Sequence, residues 1–166
     1  MTYKTFITNV LLFFLFVTGT LSCSKTDIDE QKPEVDLTAE GAHPLNCELL
    51  YFGDTINLHY LLTDNMELGS WSVDIHNNFD HHSHSTEVES CDLLPVKTPV
   101  NPFLHIEYGE IPAGLVSYEL DKQIYIPVSN SAGNFDEGDY HLTIRLTDRV
   151  GWSVQKGISI KIMHKE

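Results

Sequence analysis

The sequence is poor in positive charge and in long apolar runs, and each shortage closes off a class of function. Ten Lys and Arg residues face 24 Asp and Glu, giving a formal charge of −14 over 166 residues. Such a surface repels phosphate backbones and anionic headgroups and attracts cations. Nucleic acid is therefore excluded as a partner, and any membrane attachment must come from acyl chains instead of a basic patch. The apolar run Val10–Val17, "VLLFFLFV", is too short to span a bilayer. There is no G-x-S-x-G, H-E-x-x-H, P-loop or glycine-rich dinucleotide turn, and no dedicated general base or substrate pocket can be read, so the chain is not expected to be an enzyme. After residue 40 no stretch keeps a 3.6-residue period for three turns, which argues against helices.

What is present begins with an address. Lys4, the short apolar run and the small residues leading to Cys23 have the layout of a secretory signal. "TLSC" resembles the lipobox of bacterial lipoproteins, with Leu21 and Ser22 fitting and Thr20 where leucine is usual; the alternative is an ordinary signal peptide with a cysteine near its cut site. The resemblance implies a signal peptide at 1–22, acyl chains on Cys23 and attachment to the membrane through them. Residues 23–36 are charged, lack aromatics and read as a flexible tether. Their acids Asp27, Asp29 and Glu30 resemble the export signal of Bacteroidetes-type surface lipoproteins. With Cys23 lipidated, Cys47 and Cys91 remain as an even pair in an oxidising compartment, read as a disulfide against the alternative of two buried thiols. That bridge would stabilise by at most about 4 kcal/mol and would tether the far end of a histidine-rich segment.

Residues 37–166 suffice for one domain with a single core. "DTINLHYLLTD" alternates Ile56, Leu58, Tyr60 and Leu62 against Thr55, Asn57, His59 and Leu61, and "GSWSVDIHN" alternates Trp71, Val73 and Ile75 against Ser72, Asp74 and His76. "KQIYIPV" and "VQKGISIKIM" repeat the pattern, with turn signals "YFGD", "TDNMELG", "SAGNFDEGD" and "TDRVGW" between. Prolines 95, 99, 102 and 112 mark a long irregular connection that can hold an edge strand at "FLHIEY". The fold class expected is all-β, an antiparallel sandwich. "EGDYHLTIRLTDRVGW" followed by "SVQKGISIKI" resembles the closing F and G strands of immunoglobulin-like and cadherin-like sandwiches, with Tyr140 at the place of a tyrosine corner.

Taken together, "KPEVDL", Cys47, "DIHNNFDHHSHSTE", Cys91 and "GDYHLTIRLTDRVG" resemble a family of small Bacteroidetes lipoproteins carrying a domain of unknown function. The resemblance implies a cell-envelope, outer-membrane lipoprotein with an immunoglobulin-like fold, facing the periplasm or exposed at the surface. It implies no activity.

Function must come from the residues, and four of the nine histidines fall between His76 and His84. On strand C, with Trp71, Val73 and Ile75 inward, Asp74 and His76 point outward. On strand F, Tyr140, Leu142, Ile144 and Leu146 point inward, leaving His141, Thr143 and Arg145 outside. C and F are antiparallel neighbours, so His76 and His141 are expected to meet at one rim. The loop after strand C offers His82 and His84 on one side if extended, or His81 and His84 if helical. Imidazoles suit zinc, copper or nickel, so the expected metal set is His76, His81, His82, His84 and His141, with Asp74, Asp80 and Glu87 orienting the rings. Two alternatives stand beside a transition-metal cofactor: a solvated loop that binds nothing tightly, and a proton-sensing patch. Asn77 and Asn78 are expected to take the unusual backbone angles of the turn, and Phe79 to plug the sandwich end. His43, His59, His105 and His164 read as ordinary rim residues. Without a D-x-D-x-D-G loop, Asp64, Asp148, Asp136, Glu137 and Asp139 read as turn-forming acids and not as calcium ligands. Two functions therefore remain: an envelope lipoprotein that sequesters or delivers a transition metal, and a metal-free immunoglobulin-like module that contacts an envelope protein or glycan.

Overall fold

The computed structural model describes residues 28–82 and 91–166, and Cys23, His84 and Glu87 lie outside them. Among the described residues every regular element is a strand: β1 Glu34–Asp36, β2 Glu48–Tyr51, β3 Thr55–Thr63, β4 Leu68–Asn77, β5 His105–Glu110, β6 Ser117–Tyr125, β7 Ser129–Asn130, β8 Gly133–Asn134, β9 Gly138–Asp148 and β10 Ser153–Met163. One sheet has the order β1-β3-β6 and the other β2-β10-β9-β4-β5, with β7 and β8 forming a small hairpin. β2 runs parallel to β10, and the other pairings are antiparallel. Three strands facing an extended sheet with β10, β9, β4 and β5 in that order form an immunoglobulin-like sandwich.

The alternation in the sequence maps onto this architecture. Ile56, Leu58, Tyr60 and Leu62 of β3 are buried, as are Trp71, Val73 and Ile75 of β4 and Tyr140, Leu142, Ile144 and Leu146 of β9. Side chains of period two place each set on one face, and burying two such faces against each other makes the core. Tyr140 carries a polar group into that core and satisfies it locally: its hydroxyl donates to Asp136 O at 2.6 Å and accepts from Phe103 N at 3.1 Å. Burial pushes its ionisation upward, so it stays a neutral donor. This is the tyrosine corner expected of the fold. β5 is an edge strand, as the proline-rich connection suggested.

The sandwich begins earlier than composition suggests. Residues 34–36 of the expected tether form β1, with Val35 paired to Leu62 and buried, and Asp29 is buried as well. A three-residue strand is too short to display a period, so its pairing is invisible in sequence.

Candidate metal centre at one pole of the sandwich

β4 ends and β9 begins at the same pole, and the register there sets His76 directly opposite His141. After β4 the backbone continues the ladder for one more residue, Asn78 N donating to Asp139 O at 2.8 Å, and then turns, with His81 N donating to Asn78 O at 3.2 Å. Phe79 plugs the sandwich end at the turn, packed edge-on to Tyr140 and covered by Lys97. Its ring lies where a Cβ on Gly138 would stand, 2.7 Å away, at a backbone φ of +144°. Glycine is required there on both counts. The residue in the left-handed region is His81, at φ 57°, and not Asn77 or Asn78. The asparagine expectation fails because Asn77 is still in the sheet and Asn78 spends its side chain on His141, 2.9 Å from the ring Nε2.

The turn folds the chain back over the outer face and lays His82 against His141, ring centroids 5.1 Å apart. His76, His82 and His141 then form one cluster, each offering a ring nitrogen within 4.8 Å of the others. His76 Nδ1 donates to Asp74 Oδ1 at 2.5 Å, and His82 Nδ1 to Asp80 Oδ1 at 2.6 Å. These bonds select the tautomer whose lone pair sits on Nε2. The two Nε2 atoms face each other at 3.4 Å. Two nitrogens bound tetrahedrally to one ion at the usual zinc–imidazole distance stand about 3.3–3.4 Å apart. The spacing is compatible with an ion between them, with His141 near enough to be a third donor. The hydrogen bond from His82 also holds the Asp80 carboxyl below the usual carboxylate range, so this acceptor stays ionised.

His81 does not join the cluster; the turn points it at Asp139, 3.7 Å from its Oδ2. His84, the fourth histidine of the segment, lies outside the described residues. His141 was expected on the exposed face. It is on that face but fully buried, because the returning loop covers it. Sequence reasoning missed Asn78 as a partner of His141, since contact between positions so far apart leaves no local signal. Of the remaining histidines, His43 is spent on Asn57 O and Glu48, His105 lies near Glu107, and His164 is spent on Phe135 O.

The Cys47–Cys91 disulfide forms, with Cα atoms 5.3 Å apart. It lies at the same pole, since Cys47 N donates to Ser159 O and Ser159 is the β10 partner of His141. On the other side of the cluster, Asp74 and His76 border an outer-face groove of about 280 Å³ that also includes Ile106, Thr143, Arg145 and Gln155.

Fold and site together define a class: a small immunoglobulin-like domain with an acidic surface and a three-histidine candidate metal centre at one rim. Residues 21–163 match the family described as Domain of unknown function (DUF4625), and the chain belongs to that family. No curated protein matches it significantly.

Proposed function

We propose that this protein is a cell-envelope lipoprotein that binds a transition metal ion, zinc, copper or nickel, through His76, His82 and His141, and sequesters it or hands it on. The observation that carries the reading is the pair of Nε2 atoms 3.4 Å apart, each on a ring whose Nδ1 is tied to a carboxylate. Two neutral imidazoles so oriented turn lone pairs toward each other, which is unfavourable unless a cation lies between them. The net charge of −14 raises the local cation concentration, and the groove beside His76 gives the ion a way in and out. No catalysis is assigned. Attachment is proposed through acyl chains on Cys23 to the outer membrane, periplasm-facing or surface-exposed.

Calorimetric titration with zinc, copper and nickel, on the parent and on a His76→Ala, His82→Ala variant, tests the reading. Binding in the micromolar range or tighter is expected for the parent, weakened at least about a hundredfold in the variant. Binding no tighter than millimolar, or equal in the two, returns the segment to a surface loop. The metal-free interaction module then leads, with Leu104, Ile106 and Tyr108, exposed on and beside edge strand β5, as its contact surface. For the anchor, Cys23→Ser is expected to release the protein from washed membranes; retention sinks that part.

A further inference from the structure

The opposite pole carries a second ionisable cluster of different chemistry. Asp64 follows β3, Asp148 ends β9, and Asp29 lies on the segment entering β1; one carboxylate oxygen of each falls within 4.8 Å of the others. Asp148 is 4% exposed and Asp29 7%, and Asp64 is half-buried, so the three are not a fully solvated acidic patch. Part of each carboxylate is accounted for by backbone. Asp148 Oδ1 accepts from the amides of Val150, Gly151 and Trp152, and Asp64 Oδ2 from those of Met66 and Glu67. Asp29 Oδ1 accepts from Gln31 N and Asn65 Nδ2. Turn formation thus explains one oxygen of Asp64 and one of Asp148. The other oxygens, Asp64 Oδ1 and Asp148 Oδ2, are shut off from solvent and accept no hydrogen bond.

Two desolvated carboxylate oxygens without a donor, beside a third carboxylate, are costly for a fold to keep. Among the described residues no Lys or Arg pairs with any of the three. A partner that would satisfy these oxygens is a cation that takes oxygen ligands. We propose that Asp29, Asp64 and Asp148 form a calcium site that clamps the N-terminal segment to the β3–β4 and β9–β10 turns. An all-oxygen donor set selects a hard ion over zinc or copper, and ligands supplied by three separate segments suit calcium's irregular coordination better than the strict octahedron of magnesium. Trp152 offers a reporter, because its indole Nε1 donates to Asp29 O at 3.0 Å.

The test uses the purified full chain, stripped with chelator and titrated with calcium, magnesium and zinc while melting is followed; terbium luminescence is excited through tryptophan. Calcium is expected to raise the melting temperature in a concentration-dependent way, and terbium luminescence to saturate and be displaced by calcium. Asp29→Asn and Asp64→Asn each keep an acceptor oxygen for the local backbone and remove a charge; each is expected to weaken calcium binding at least about tenfold. His76→Ala is expected to leave it unchanged, which separates this site from the histidine centre. No thermal shift and no saturable luminescence at about 10 mM, beyond the weak end of extracellular calcium modules, overturns the proposal. So does calcium binding that survives both Asp variants, which marks a diffuse response of an acidic surface.

Discussion

The two ends of β9 hold clusters that solve the same electrostatic problem with different atoms. At one end His141 stands against His76 and His82; seven residues on, roughly 23 Å along the strand, Asp148 stands against Asp29 and Asp64. Each histidine at the first pole except the buried His141 has its own carboxylate, so the charge that would come with protonation is matched before any ion arrives. The aspartates have no such counterpart among the described residues, and their free oxygens face inward. The difference teaches that an ion leaving the histidine pole uncovers two facing lone pairs on partly exposed rings, whereas one leaving the aspartate pole uncovers two desolvated carboxylate oxygens, the greater cost. The first suits reversible loading and the second a structural clamp.

The largest effect expected to break this contrast is loss of the disulfide. Replacing Cys47 and Cys91 by Ser should cost up to about 4 kcal/mol for a 44-residue separation. It should weaken zinc binding and spare calcium binding, because the bridge adjoins only the histidine pole; equal losses at both poles would show global loosening. Next comes Tyr140→Phe, which removes the hydroxyl between Asp136 O and Phe103 N and should cost about 1–3 kcal/mol in denaturant unfolding. A smaller change sharpens the histidine side: Asp80→Asn should lower zinc affinity about tenfold by slackening His82, read by calorimetry against unchanged calcium binding.

The least dramatic test is pH. Protonated imidazoles bind no metal, so zinc affinity should fall as the pH is lowered. The Asp80 carboxyl has its folded pKa depressed by His82. Its contribution is therefore present above the unfolded carboxylate pKa and is lost only as pH falls through the lower folded value. Zinc release and this second loss should appear in a pH series as separate events, the acid one reduced in Asp80→Asn. A single merged transition would mean that Asp80 does not act on the ring.

Much of the sandwich was legible because its strands alternate cleanly. Period-two patterns in β3, β4 and β9 gave the inward residues, and antiparallel C–F pairing was enough to bring His76 to His141. Which loop histidine would join them was not legible. The choice of His82 over His81 depends on the left-handed residue at 81 and on Phe79 locking against Gly138, which are tertiary facts. Sequence also tells which face a residue occupies but not what lies on top of it, hence the unexpected burial of His141. Asp29 was hidden for a related reason: in a charged, aromatic-free segment nothing local distinguishes an acid that folds back onto two turns from one that remains in solvent.

The burial of Asp29 also sets a compass bearing. Cys23 and Asp29 are six residues apart, and a chain of that length reaches at most about 20 Å. Under the proposed acyl anchor, the aspartate pole would be moored close to the lipid surface, and β9 would act as a mast with the histidine centre at its far end. Ions captured there would be presented to whatever approaches from the aqueous side, at a height fixed by the length of one strand.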